Sequence, residues 1–150
     1  MKGKMRTRLI KTDIIEDGWY VSLQLDEKLF FLHLLITPRS EMSGVYFYPD
    51  RNMLIDCPGI SSERLQIIKA KFEKEDRVYF KDGWVFIVNF LRNNNFNGAV
   101  HRVGVGKQIN DLQKRNYDIY KYFLDRSLFT SLYEYFGPDF FDKKTKEMKK

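Results

Sequence analysis

The fold is decided by residues 49–89, which read PDRNMLIDCPGISSERLQIIKAKFEKEDRVYFKDGWVFIVN. Residues 50–57 are a short helical candidate, and the Pro58-Gly59 pair that follows is a turn signal. Two serines then offer a helix cap, and the apolar spacing behind them predicts a second helix over residues 62–75. The first part of the stretch therefore predicts a helix, a tight turn and another helix.

The second part of the stretch predicts a β-hairpin. Residues 77–80 and 84–89 are rich in β-branched and aromatic side chains, which favour strands. Asp82-Gly83 lies between them, and Asp-Gly between two such runs is the strongest short-range hairpin signal. Helix, turn, helix and hairpin in this order are the outline of a winged helix-turn-helix. We therefore predict an α+β fold of that kind with an added C-terminal helical segment.

The helix over residues 62–75 has two different sides. Leu65, Ile68 and Phe72 fall on one stripe at about 100° per residue and are expected to pack inward. The outward side mixes cations, amides and small apolar groups, which suit phosphates, base edges and thymine methyl groups. A solvated amphipathic helix is the alternative interpretation. With the hairpin tip and the segment after it, the predicted DNA-binding residues are Ser62, Arg64, Gln66, Ile67, Lys71, Lys74, Lys81 and Arg92.

The net charge of +6 is unevenly distributed along the chain. Residues 1–11 hold five cations and no acid, and residues 142–150 hold five lysines against two acids. Residues 12–60 hold three cations against eight acids, whereas residues 61–116 hold eleven cations against six acids. Positive charge is thus concentrated on the second helix, the hairpin and the segment after them. This asymmetry favours a polyanionic partner, and we predict double-stranded DNA.

The stretch before residue 49 predicts a helix and a short strand. Residues 25–36 are apolar nearly all round and carry two acids in the first turn, where the helix dipole favours them. We expect this segment to be the central buried helix, with His33 as a hydrogen-bonded core residue. Residues 44–48 read as a short strand that can join the hairpin as a third strand, and Pro49 ends it.

Four segments resemble the N-terminal winged-helix domain of phage and prophage replisome organisers, relatives of the bacterial DnaD-type replication initiation proteins. The segments are 26–38 (DEKLFFLHLLITP), 43–46 (SGVY), 71–73 (KFE) and 81–90 (KDGWVFIVNF). The resemblance covers roughly residues 6–100. It implies a protein that binds origin DNA and helps to recruit the replicative helicase or its loader.

The C-terminal third predicts helices of two kinds. Residues 107–115 look like a short basic helix behind a polar linker. Residues 117–141 hold ten of the 24 aromatic residues, with apolar side chains all around the helical wheel. Such a segment must be covered, either by the rest of the chain or by a second copy in a homodimer. The predicted interface residues for the second case are Tyr120, Phe123, Phe129, Tyr133 and Phe136.

Several function classes are disfavoured. No Walker loop, H-E-x-x-H or G-x-S-x-G motif is present, so we expect no enzyme activity and no cofactor. The single cysteine, Cys57, and two histidines lack metal-site spacing, so we expect no bound metal. No apolar run approaches the roughly 20 residues that a membrane span needs, and we expect a cytoplasmic protein of a bacterial host cell. A transcription regulator and a protein-interaction module without DNA binding remain alternatives.

The chain is thus divided into five predicted segments. They are a basic flexible arm (1–11), a winged-helix domain (12–92), a linker with a short basic helix (93–116), an aromatic-rich helical segment (117–141) and a basic tail (142–150).

Overall fold

The computed structural model describes residue 8, residues 10–93 and residues 98–141. Within these ranges a 3-10 turn at Thr12–Glu16 precedes eight α-helices and three strands, an α+β arrangement. The helices are α1 (Gly18–Ser22), α2 (Leu25–Ile36), α3 (Asp50–Asp56), α4 (Ser62–Lys74), α5 (Phe90–Asn93), α6 (Ala99–Arg115), α7 (Tyr117–Phe123) and α8 (Phe129–Phe136). The strands are β1 (Val45–Phe47), β2 (Val78–Lys81) and β3 (Trp84–Ile87). The predicted tail at 142–150 and most of the predicted arm lie outside the described residues. No described helix combines the length and the hydropathy that crossing a membrane requires.

The three strands form one antiparallel sheet with the order β1-β3-β2. The predicted hairpin is confirmed, and so is the third strand beside it. Asp82 and Gly83 join β2 to β3 with φ angles of +49° and +85°. Positive φ at both central residues is the requirement of a type I′ turn, which explains why an Asp-Gly pair stands there.

Helix α2 has the predicted bounds but is not buried all round. Its N-terminus carries a capping box, in which the Gln24 side chain and the Glu27 side chain each bind the other residue's backbone. Phe30 and Leu34 are buried, whereas Leu25, Leu29 and Ile36 are 73%, 60% and 55% exposed. The prediction of a fully buried central helix is therefore wrong for one side of α2.

Helix α4 follows the prediction closely. Ser61 is its N-cap and accepts a hydrogen bond from the backbone N–H of Arg64 at 3.1 Å. Leu65, Ile68 and Phe72 are at most 1% exposed, so the predicted inward stripe is confirmed.

The sheet is covered by helices on both faces, because its strands carry apolar side chains on both. Phe80 and Val85 point to one face and belong to a core that includes residues of α2 and α4. Phe86 points to the other face, where its ring centroid lies 5.7 Å from that of Phe123 in α7. Helices α6, α7 and α8 complete this second core. The C-terminal helices are therefore a structural layer of the fold.

Helix α6 is longer than predicted. It begins at Ala99, eight residues before the predicted start, and runs through Gly104 and Gly106. Each interior glycine costs a helix about 1 kcal/mol relative to alanine, and both glycines precede the predicted start. A Cβ at Gly104 would lie 2.4 Å from Met42 Cε, so close packing against Met42 explains this glycine. The predicted linker is partly helical as α5, and residues 94–97 lie outside the described residues.

The aromatic segment packs against the rest of the same chain. Tyr120 is 4% exposed and Phe123 is fully buried, so these two predicted interface residues are core residues and offer no surface to a partner. Phe129 and Tyr133 are 47% and 46% exposed, and Phe136 is half-buried. The last three predicted interface residues therefore lie at least partly on the surface.

A π-helical turn at Leu124–Leu128 joins α7 to α8 and sets which residues face the core. Phe123, Leu128 and Leu132 are all fully buried. Phe123 and Leu128 are five residues apart. In a regular α-helix, two side chains at this spacing point in directions that differ by more than a quarter turn. A π turn holds more residues than an α turn and brings both side chains onto the buried side.

The two-sided core predicts that Phe123 and Phe129 differ in their effect on stability. Phe123→Ala is expected to lower the free energy of unfolding by about 3–5 kcal/mol, the usual effect of emptying a buried phenylalanine site. Phe129→Ala removes the same atoms from a half-exposed position and should cost less than about 1.5 kcal/mol. Urea unfolding followed by circular dichroism compares the two variants, and equal losses would contradict the second core.

Candidate nucleic-acid interface

The outward side of α4 is exposed, as a DNA-reading helix requires. Ser62, Gln66, Ile67 and Lys74 all lie on this side, and Ile67 is 57% exposed. This face is set by the inward stripe of α4, since residues on the opposite side of an amphipathic helix point away from the core. Four of the eight predicted DNA-binding residues are thus placed together on one helix face.

Arg64 points to α2 instead. Its Nε lies 2.7 Å from Asp26 Oδ2 and its Nη2 lies 3.0 Å from Asp26 Oδ1, a two-pronged ion pair. The same Nη2 donates to Gln24 Oε1 at 3.0 Å and lies 3.4 Å from Glu27 Oε2. The hydrogen bond from Arg64 lowers the pKa of Asp26. Arg64 is thereby committed to the contact between α4 and α2.

Lys71 is bound to the same helix through a buried carboxylate. Its Nζ lies 3.0 Å from Oε1 of Glu27, a residue that is only 2% exposed. Burial raises the pKa of Glu27, but hydrogen bonds from the backbone N–H of Gln24 and from Lys71 outweigh it, so the pKa lies below its usual value. A charged carboxylate at this depth needs its cations, which makes Lys71 and Arg64 parts of the fold.

A third ion pair ties α4 to α3. Asp50 Oδ1 accepts a hydrogen bond from Lys69 Nζ at 2.7 Å, and Asp50 Oδ2 accepts one from Gln66 Nε2 at 2.8 Å. Burial raises the pKa of Asp50, and the hydrogen bonds from Lys69 and Gln66 lower it below its usual value. In the described part of the chain, Lys74 is the one cation of α4 without an ion pair.

The hairpin tip lies against α7. Lys81 Nζ is 5.1 Å from the centroid of the Tyr122 ring, and the Arg126 guanidinium carbon is 3.3 Å from the same centroid. Neither cation forms an ion pair with a described acid. Lys81 was predicted from the sequence as a DNA-binding residue, but its neighbours Tyr122 and Arg126 were not predicted. Their spacing of four residues on a helix indicates that these two side chains contact each other.

Arg92, the last predicted DNA-binding residue, pairs with Glu134 of α8. Its Nη2 lies 2.6 Å from Glu134 Oε2, and both side chains are half-exposed. Arg92 also borders a cleft of about 810 Å³ between the N-terminal turns and the end of β3. Acids outnumber cations along this cleft, so it does not suit a phosphate ligand. Its acids are Asp13, Glu16, Asp17, Glu75 and Asp76.

One polar network within the domain resembles a catalytic arrangement but is fully paired. Tyr48 donates its hydroxyl hydrogen to Asp56 Oδ2 at 2.6 Å, and His33 Nε2 lies 2.7 Å from the Tyr48 hydroxyl oxygen. Burial lowers the pKa of His33 and raises that of Tyr48. These shifts keep both groups neutral. The predicted hydrogen bond of His33 is confirmed, but its side chain is only partly buried. No group of three His, Cys, Asp or Glu side chains among the described residues is placed to hold a metal ion.

Comparison with protein-family models, with curated proteins and with solved structures finds no match to this chain.

The Lys71–Glu27 pair predicts a pH-dependent loss of stability. Lys71→Met is expected to lower the free energy of unfolding by about 2 kcal/mol at pH 7, as for other hydrogen bonds to charged groups. A carboxyl whose folded pKa is lowered adds stability above its unfolded pKa and loses it as the pH falls through the folded pKa. The difference between Lys71→Met and wild type should therefore shrink as the pH falls below the usual pKa of glutamate.

The matched control is Lys74→Met, which removes an unpaired lysine one turn further along the same helix. We expect it to change the free energy of unfolding by less than about 0.5 kcal/mol at any pH. Urea unfolding of the three proteins between pH 7 and pH 3 measures both effects. A pH-independent loss for Lys71→Met would show that its ion pair with Glu27 is not what stabilises the fold.

Proposed function

We propose that this chain is a DNA-binding replication-initiation protein of the phage and prophage replisome-organiser kind, which binds origin DNA through α4 and the β2–β3 hairpin. The element order α2, β1, α3, α4, β2, β3 supports a winged helix as its framework. The sheet order β1-β3-β2 and the short turn between α3 and α4 support it as well. In this proposal α4 enters the major groove and the hairpin tip lies on the adjacent backbone.

The observation that carries the proposal is the uncovered outer face of α4. Ile67 is 57% exposed in the middle of a helix whose other large apolar residues are buried. Packing within the chain gives no reason for an isoleucine there. Contact with thymine methyl groups does, and the amide oxygen of Gln66 beside it can accept a hydrogen bond from a base edge while its Nε2 stays bonded to Asp50.

The ion pairs of α4 decide which cations are assigned to phosphate. Arg64, Lys69 and Lys71 are bound to acids of α2 and α3, so their charge is already compensated within the chain. Lys74 and Lys81 have no ion pair with a described acid. We therefore assign the phosphate contacts to these two lysines.

Recruitment of a replicative helicase or its loader, which the resemblance implies, is part of the same proposal. The surfaces on α4 and the hairpin would serve an operator equally well, so the DNA sequence that is bound separates an initiator from a transcription regulator. A duplex from the chain's own coding region, an unrelated duplex and promoter DNA are the three probes to compare.

A second candidate is a protein-interaction module that does not bind DNA. One observation favours it: Leu25, Leu29 and Ile36 are exposed apolar residues that fall on one stripe of α2. Such a row suits the apolar face of a partner helix. Absence of binding to any duplex at 20–50 mM salt, roughly the range where phosphate contacts are strongest, would favour this candidate.

The test of DNA reading compares two exposed apolar residues that are replaced by the same acid. Ile67→Glu is expected to weaken duplex binding at least tenfold, because it puts a negative charge into the proposed groove contact. Val103→Glu is the matched control on α6, where the valine is 72% exposed and outside the proposed contact. Fluorescence anisotropy with labelled duplexes measures both affinities. Equal effects of the two substitutions would remove α4 from the interface.

The salt dependence tests the two lysines separately. Lys74→Ala and Lys81→Ala are each expected to reduce the slope of log affinity against log salt by about 1. Arginine at either position should keep the slope, since the charge is retained. An unchanged slope in the alanine variants would mean that neither lysine contacts a phosphate.

A further inference from the structure

The outer surface of the C-terminal helices carries a row of three aromatic residues and one arginine. Tyr122, Arg126, Phe129 and Tyr133 follow one another at intervals of four, three and four residues along α7, the π turn and α8. Arg126 contacts the Tyr122 ring, and the rings of Phe129 and Tyr133 are stacked. Arg126, Phe129 and Tyr133 are exposed, and Tyr122 is partly buried against the second core. We call this set the aromatic–cationic strip.

Positive charge gathers at one end of the strip. The Arg126 guanidinium carbon lies 3.3 Å from the Tyr122 ring centroid, and Arg126 Nη1 donates to the Tyr122 carbonyl oxygen at 2.8 Å. Lys81 reaches the same ring from the hairpin tip. Asp125, the acid next to Arg126, is paired with Lys121 at 3.0 Å. Two cations from separate elements thus converge on one tyrosine, and neither has a described acid as partner.

Aromatic rings form the other end of the strip. Phe129 and Tyr133 are each nearly half exposed, and their rings are stacked with centroids 6.1 Å apart and planes 23° apart. Phe141 stacks on Phe129 with centroids 4.5 Å apart. The rings are held in place by one another and by the helix. Phe141 covers one face of Phe129, so the ring surface left to a ligand is the exposed part of Phe129 and of Tyr133. This surface is offered without the entropy loss of ordering free side chains.

We infer that the aromatic–cationic strip binds single-stranded nucleic acid. Unpaired bases stack on Phe129 and Tyr133, while Lys81 and Arg126 hold the phosphates of the same strand. From Tyr122 to Tyr133 the helix rises about 16 Å, a length that accommodates a few nucleotides. Aromatic platforms beside a cationic track are the general means of holding single strands without sequence preference.

The chemistry of the strip favours a single strand over a duplex or a protein partner. In a duplex the bases are already stacked on one another, so exposed rings on a convex helix gain little from it. A protein partner would use the apolar rings but leave two cations without a role. The inference extends the proposed function to a second DNA form on a surface that shares Lys81 with the proposed duplex contact, and it does not require duplex binding by α4.

The experiment uses the full chain and two labelled probes, a 20-nucleotide oligothymidine and an abasic strand of equal length. Fluorescence anisotropy at 50 mM salt measures both affinities, and a 20-base-pair duplex is measured in parallel. We expect oligothymidine to bind at least tenfold more tightly than the abasic strand, because only the former has bases to stack. Equal affinities would overturn the inference, since phosphate contacts alone would then account for the binding.

Variants connect the binding to the strip. Phe129→Leu/Tyr133→Leu keeps apolar volume but removes the rings, and it should weaken oligothymidine binding at least tenfold. Arg126→Ala should weaken oligothymidine and the abasic strand about equally. Tyr117→Leu, which removes a tyrosine that is 49% exposed and outside the strip, is the matched control. Circular dichroism and urea unfolding verify that each variant is folded.

The outcomes separate this inference from the proposed function. Duplex binding by the wild type without oligothymidine binding overturns the inference and leaves the proposed function standing. Oligothymidine binding that depends on the strip supports the inference, even if the duplex does not bind. If size-exclusion chromatography shows a dimer that the double leucine variant dissociates while oligothymidine binding persists, the rings belong to a protein interface and the inference fails.

Discussion

The structure depends on a small sheet that is apolar on both faces. Antiparallel sheets commonly leave one face to water, but here Phe80 and Val85 on one side and Phe86 on the other all need cover. Helices α2 and α4 supply it on one side, and α6 to α8 supply it on the other. Each covering helix is amphipathic, so each leaves a side exposed. Both candidate nucleic-acid surfaces are the exposed sides of helices that the sheet requires.

A single buried carboxylate links the charge of α4 to the stability of the domain. Glu27 caps α2 and at the same time faces Lys71 and Arg64 of α4. Cations that neutralise a buried acid are held by the folded chain and are not available to a polyanion without uncovering that acid. The positive charge that the sequence shows on α4 is therefore larger than the charge that α4 offers to a partner. The cations left for a partner lie at its end, at the hairpin tip and on the C-terminal helices.

Local signals in the sequence were sufficient where short-range chemistry decides the structure. The Asp82-Gly83 turn, the bounds of α2 and the inward stripe of α4 follow from turn preference and from helical periodicity. They were predicted because each depends on residues that are near in sequence. The confirmed elements establish the α+β arrangement, while the winged helix itself stays part of the proposal.

The failures share a different origin, because they depend on residues far apart in the chain. Arg64 and Lys71 meet their acids across 38 and 44 positions, a distance at which no periodicity pairs a cation with an acid. Phe123 looked like surface because the second face of the sheet could not be anticipated from the hairpin alone. The predicted start of α6 at residue 107 excluded Gly104, whose close contact with Met42 is also a tertiary one. The sequence thus predicted which face of α4 is exposed, but not which cations of α4 form ion pairs with acids of the same chain.

The π turn between α7 and α8 contains one residue more than a regular α-helix needs at this point. Phe123 and Leu128 are five residues apart, and the wider turn places Leu128 and Leu132 on the core side with Phe123. A one-residue deletion within 125–127 would leave Phe123 and Leu128 at a spacing of four, which a regular α-helix keeps on one side. Such a deletion should thus be tolerated, whereas a one-residue insertion between Leu128 and Leu132 would rotate Leu132 out of the core by about 100°. Relatives of this chain that lack the extra residue should accordingly have one continuous α-helix in place of α7 and α8.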